Sequence, residues 1–256
     1  MKSRLGTRMV AEFLGTAFLV ATVVGSGIMA ERLAAGNAAL ALLANTIATG
    51  AALVALILTF GPISGAHLNP VVSVADAMEG GLAWSETLPY IAAQIFGGIC
   101  GTTVAHAMFG LPLVSVSRHI RGGPTQLLSE FIATFGLLAV IWGCSRSRPS
   151  TVPFAVGSYI TAAYWFTAST SFANPAVTIA RCLSNTFAGI RPDDVPLFVV
   201  AQFAGGIAAT ILFRWLAHGL PSRAKDVVVP TVPRSDLGWK MPTAGSPISN
   251  NRARTN

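Results

Sequence analysis

The sequence has 256 residues, of which 52% are hydrophobic and only 11% charged, whereas a soluble domain carries about twice that charge. This composition excludes an ordinary soluble domain and points to a membrane protein. The net charge of +7 does not imply a nucleic-acid partner, because the basic residues sit at the chain ends and in short loops instead of forming one stripe.

A spanning helix needs roughly 20 apolar residues. Apolar runs at residues 9–30, 38–60, 85–109, 127–144, 152–167 and 194–217 predict six spans. The first run follows Lys2, Arg4 and Arg8 and ends near small residues, the outline of a cleaved signal peptide. Glu12 argues against that, since an acidic residue is unusual in a signal core but is a structural or functional site inside a packed bundle.

With both termini cytoplasmic, Lys2, Arg4, Arg8, Arg146, Arg148 and the basic residues of the tail lie inside, leaving Arg32, Arg118, Arg121, Arg181 and Arg191 outside. The positive-inside bias favours that orientation in a cell membrane. Cys100, Cys144 and Cys182 show no ligand-like spacing and read as small buried residues. No nucleophile–base pair or metal cluster appears in the spans, so neither an enzyme nor a cofactor or metal is expected. Residues 218–256 are basic and Pro-containing with little apolar periodicity, which reads as a disordered cytoplasmic tail behind a single transmembrane domain at residues 1–217.

Three signatures occur once in each half, in the same order. Glu12-Phe13-Leu14-Gly15-Thr16 matches Glu130-Phe131-Ile132-Ala133-Thr134. Asn69-Pro70-Val71-Val72 matches Asn174-Pro175-Ala176-Val177, and Ala93-Gln94-Ile95-Phe96-Gly97-Gly98 matches Ala201-Gln202-Phe203-Ala204-Gly205-Gly206. The repeats cover about residues 9–109 and 127–217. Each holds three spans, and an odd number forces the second copy to enter from the opposite face, giving an inverted repeat with its shared site near the membrane midplane.

Between the second and third spans of each repeat lies a segment too polar to span and too apolar for an ordinary loop, ending in Asn69-Pro70 and in Asn174-Pro175. Asn is a preferred N-cap and Pro suits the first helical position, so each pair marks a helix start. A helix of about ten residues covers about 15 Å, half a bilayer, which predicts two re-entrant half-helices. Non-helical backbone at that depth is tolerated only where it is buried or lines a water-filled cavity, so a central pore or site follows. Asn69 and Asn174 would donate side-chain N–H to a passing solute. The carbonyls of Gly65, Ala66 and His67, and of Thr170, Ser171 and Phe172, would supply a ladder of acceptors.

These motifs together resemble the major intrinsic proteins, the aquaporins and aquaglyceroporins, over about residues 9–217. The resemblance implies an all-α membrane fold of six transmembrane helices plus two re-entrant half-helices around a central pore. It also implies a homotetramer with one pore per subunit and passive passage of small neutral solutes. Most members carry Arg directly after the second box, and here that position is Val177. The other constriction positions, carried over by their offsets, fall on Thr49, Ala162 and Ser171. All four are small or medium and uncharged, so the expected filter is wide and weakly polar and admits solutes larger than water. This pattern is similar to a bacterial branch associated with arsenic resistance, whose substrates are neutral metalloid hydroxides. Arsenous acid, glycerol, urea and water all fit the lining.

Glu12 and Glu130 are expected to be buried acceptors for the N–H groups of the re-entrant loops, and Gln94 and Gln202 to brace the half-helices. Val71, where the second box has Ala176, predicts a modest packing adjustment. His67 is expected to pack through hydrogen bonds instead of gating by protonation. Asp76 and Arg181, each seven residues past its box asparagine, are expected in vestibules or at interfaces, with Arg181 either in a surface ion pair or in the outer vestibule, where it would partly replace the missing constriction arginine. The competing function is a secondary active transporter, since inverted repeats with broken helices also serve alternating access. That function needs an ion-coupling site, for which Glu12 and Glu130 are the available embedded carboxylates. A third reading is a scaffold protein with a closed pore.

Overall fold

A computed structural model describes residues 4–216. The expected disordered tail at residues 218–256 lies outside the described residues. The described chain is helical, in the order α1 (Leu5–Leu33), α2 (Ala38–Ser64), α3 (Pro70–Met78), α4 (Trp84–Met108), α5 (Pro124–Ser147), α6 (Val152–Phe166), α7 (Pro175–Arg181) and α8 (Val195–Leu216). Helices α1, α2, α4, α5 and α8, the last with the turn before it, are long and apolar enough to cross a membrane. At 15 residues α6 is shorter, and the 3-10 turn Pro149–Thr151 leads directly into it. Six passes bring residues 4 and 216 to the same side, here the terminal face. From the middle of the bundle α3 runs toward that face and α7 toward the far face.

The order α1–α4 repeats as α5–α8, and the packing repeats with it. α1 lies along α4 and α5 along α8, while α2 meets α6 across the two repeats. The close approach of the first two pairs depends on glycine. A Cβ at Gly97 would overlap the backbone carbonyl of Phe13, and one at Gly205 would overlap that of Phe131. These are equivalent positions of the sequence repeat, so the duplicated Gln-x-x-Gly segments are the contact surfaces that let each third helix lie against its first. The next glycines seat the half-helices: Gly98 lies against Ala176 and Ala180 of α7, and Gly206 against Val71 of α3.

Polar ties hold α3 at the terminal face. Glu79, its C-cap residue, is 3.2 Å from Arg146 of α5 and 2.9 Å from Arg214 of α8. The outward side of the bundle is apolar. Leu88, Phe96, Leu128, Leu197, Val200 and Ile211 are all exposed, which suits contact with lipid and would be costly against water. Cys100, Cys144 and Cys182 are free and half-buried, not fully buried as expected.

Candidate solute pore

Each re-entrant loop takes its shape from left-handed backbone at non-glycine residues. Ala66 and Leu68 in the first loop and Thr170, Ser171 and Ala173 in the second have φ between 47° and 62°. Each such residue costs roughly 1–2 kcal/mol and persists only where the surroundings over-determine it. Two buried carboxylates do so here. Glu12 accepts from the His67 N–H at 3.0 Å and the Leu68 N–H at 2.7 Å. Glu130 accepts from the Phe172 and Ala173 N–H groups, each at 2.9 Å.

The same carboxylates anchor the glutamines. Gln94 donates to Glu12 at 2.7 Å and to Ser73 Oγ at 2.9 Å, and Gln202 donates to Glu130 at 2.6 Å and to Thr178 Oγ1 at 2.9 Å. Ser73 and Thr178 were not singled out from the sequence. Each stands four residues past its box asparagine, so their signal was the repeat register applied to hydroxyl residues.

The half-helices span nine and seven residues, slightly short of the ten expected. Asn69 caps α3 by accepting from the Val71 N–H at 3.0 Å, and Asn174 caps α7 by accepting from Ala176 at 3.0 Å and Val177 at 3.3 Å. Pro70 and Pro175 take the first helical positions, where a missing N–H costs nothing. Each asparagine amide also donates across the two-fold relation, Asn69 to the Ala173 carbonyl at 2.8 Å and Asn174 to that of Leu68 at 2.7 Å. One amide hydrogen per asparagine is thereby committed to the opposite loop, which fixes the orientation of the second.

A cavity of about 60 Å³ lies inside the bundle and is lined by both asparagines, room for about four or more water-sized molecules. One wall is apolar, built from Leu19, Val23, Leu53, Ile57, Leu137 and Ile141. The other carries the two loops, Ala66 to Asn69 and Ser171 to Asn174. Gly65 and Thr170, expected among the lining residues, are not on this wall. Gly65 instead ends α2 in left-handed backbone at φ 90°, and the Thr170 hydroxyl lies 3.5 Å from Arg121.

Of the four expected filter positions, Thr49, Ser171 and Val177 line the cavity and Ala162 does not. Ala162 is exposed on the outer side of α6. The offset carried over from the family placed it wrongly, because α6 turns different residues inward. Ile160 and Tyr164 reach the cavity, and the Tyr164 hydroxyl donates to Thr49 Oγ1 at 3.3 Å.

The lining also carries a charge that the four filter positions lack. Arg181 is 2% exposed and lines the cavity, so it belongs neither to a surface ion pair nor to an open vestibule. Its guanidinium lies 3.3 Å over the Phe172 ring, and its Nε donates to the Ala188 carbonyl.

Arg121, read from the sequence only as an outer-loop charge, is buried behind it. Its side chain donates to the carbonyls of Gly189 at 2.8 Å, Ser169 at 3.2 Å and Phe187 at 3.3 Å. Burial pulls its pKa down to about 10, which leaves it cationic at neutral pH. Nothing in the sequence distinguishes a lone arginine in a polar loop from a solvated one. Asp76 is likewise no vestibule residue. It is buried, 3.3 Å from His67 Nε2, while His67 Nδ1 lies 3.1 Å from Ser73 Oγ.

The profile of the major intrinsic protein family matches residues 2–171 and 148–234. The chain is 57% identical over 212 residues to the aquaglyceroporin AqpS of Rhizobium meliloti, covering 83% of this chain and 91% of that protein. It is 30% identical over 246 residues to a probable aquaporin AqpM of Archaeoglobus fulgidus, covering 85% and 99%. The X-ray structure of the aquaglyceroporin from Plasmodium falciparum superposes with a TM-score of 0.66 at 21% identity, covering 84% of this chain and 96% of that one. Duplicated sequence, paired half-helices and these matches agree: the chain belongs to the major intrinsic protein family, a family of channel proteins and not of enzymes.

Proposed function

We propose that the chain is a passive channel for small uncharged solutes, with glycerol-sized polyols and neutral metalloid hydroxides such as arsenous acid among them, and with water also passing. The observation that carries this reading is the two-sided lining where the asparagines meet. An apolar wall faces the hydrocarbon side of a polyol, while oriented amide N–H groups and the carbonyls of Ala66, His67, Ser171 and Phe172 exchange hydrogen bonds with its hydroxyls. Small side chains at Thr49, Ser171 and Val177 leave room for solutes larger than water. Ser171 Oγ has no partner among the described residues and is free to bond a solute. The relative named as an aquaglyceroporin supports the polyol reading.

A coupled transporter is less well supported, because Glu12 and Glu130 each receive three or four hydrogen bonds from fixed donors. The reading includes a homotetramer in the cell membrane, one pore per subunit, with both termini cytoplasmic and residues 1–217 as the channel domain.

The test is Val177→Arg in proteoliposomes. An arginine at the cavity wall next to Asn174 narrows the passage and should cut glycerol influx about tenfold or more while changing water influx by less than about threefold. Equal effects on both solutes would remove Val177 from the filter.

A further inference from the structure

We infer that Arg181 is the constriction cation of this pore, a specificity-determining residue supplied one helical turn beyond the position that Val177 occupies. The inference rests on the channel reading above and adds to it the source of the pore's charge selectivity.

Residues four apart on a helix share a face. Val177 and Arg181 both line the cavity, so α7 presents them in sequence along one wall. α7 starts at the middle of the bundle and runs toward the far face, which places Arg181 about 6 Å farther out than Val177. The charge is therefore displaced along the pore axis, not absent from it.

Three further observations separate Arg181 from a packing residue. Among the described residues no carboxylate pairs with it, which is unusual for an arginine this deeply buried. One edge of its guanidinium is held by the Ala188 carbonyl and its face by the Phe172 ring, leaving the terminal nitrogens without a protein partner among the described residues. The second arginine, Arg121, lies 5.0 Å from the same ring and spends its donors on loop carbonyls. Arg181 alone puts a charge on the cavity lining, and Arg121 adds positive potential from the other side of Phe172. Glu130, the nearby carboxylate, lies off the lining and accepts from the Phe172 and Ala173 N–H groups. A cation placed so repels other cations and offers donors to neutral oxygen-bearing solutes. Phe172 is held in turn by Phe198, edge to face at 5.4 Å, so the guanidinium rests on a fixed platform.

The full chain is reconstituted as wild type, Arg181→Gln, Arg181→Lys and the double variant Val177→Arg/Arg181→Gln. Guanidinium influx is measured against water influx, with thermal unfolding as the folding control. Wild type should pass water and exclude guanidinium. Arg181→Gln should raise guanidinium influx relative to water by roughly 50-fold, the factor that one unit charge about 7 Å away contributes at an effective dielectric constant of about 20. Arg181→Lys should keep the exclusion, and moving the arginine to 177 in the double variant should restore it.

Arg181→Gln that melts like wild type, conducts water and still excludes guanidinium overturns the inference. If that variant does not fold, the wild type decides, because guanidinium entry comparable to that of water overturns it equally. Wild-type protein that passes no water fails the channel reading itself, a result distinct from either.

Discussion

Glu130→Gln removes one of three hydrogen bonds to the carboxylate under the second re-entrant loop and weakens the other two. In the structure one carboxylate oxygen accepts from Phe172 N at 2.9 Å, and the other accepts from Ala173 N at 2.9 Å and Gln202 Nε2 at 2.6 Å. An amide has one acceptor oxygen. In its better orientation it keeps the Ala173 and Gln202 bonds and turns its NH2 toward the Phe172 N–H. A buried donor left unsatisfied costs roughly 1–3 kcal/mol, and each of the two surviving bonds weakens by about 1 kcal/mol on losing its charged acceptor. The sum is about 3–5 kcal/mol, which lowers the unfolding midpoint by roughly 10 °C for a chain of this size. The assay is thermal unfolding in detergent, followed by tryptophan fluorescence. A midpoint within about 1 °C of wild type would refute the scaffold role. So would wild-type solute flux that follows a proton gradient and loses that coupling in the variant, the behaviour of a relay carboxylate.

Val71 stands where the second box has alanine, and its Cγ1 fills the space in front of Gly206. Gly206→Ala should therefore destabilise by about 1–3 kcal/mol through overpacking, and Val71→Ala in the same chain should recover most of it; additive effects in a double-mutant cycle of unfolding midpoints would contradict the contact. On α6, Tyr164→Ala should increase glycerol influx by severalfold, because the ring and its bond to Thr49 border the cavity. Ala162→Phe, on the exposed side of the same helix, should leave selectivity unchanged, and the reverse pattern in stopped-flow influx would restore Ala162 to the filter.

The fold was legible because it is written twice. Glu12 with Glu130, Gln94 with Gln202 and Asn69 with Asn174 are pairs whose separate signals are weak and whose common register is not. The asparagine–proline caps are local chemistry, and local chemistry survives into the structure. The filter was less legible, since its positions are fixed by how α6 and the second loop meet across the bundle. Here Ala162 lies on the exposed side of α6 and Tyr164 on the cavity side. Arg181 and Arg121 show the same limit from the electrostatic side. Sequence places a basic residue near a helix end or in a loop, where solvation is the ordinary outcome, and only the three-dimensional arrangement of Phe172, Ala188 and Gly189 reveals that both are buried.

The most direct test of the channel account is the dependence of glycerol influx on glycerol concentration in proteoliposomes containing the wild-type chain, measured by light scattering with and without an imposed proton or sodium gradient. The account predicts influx that rises linearly with concentration and is indifferent to either gradient. Influx that saturates and follows an ion gradient would contradict it and identify a coupled transporter.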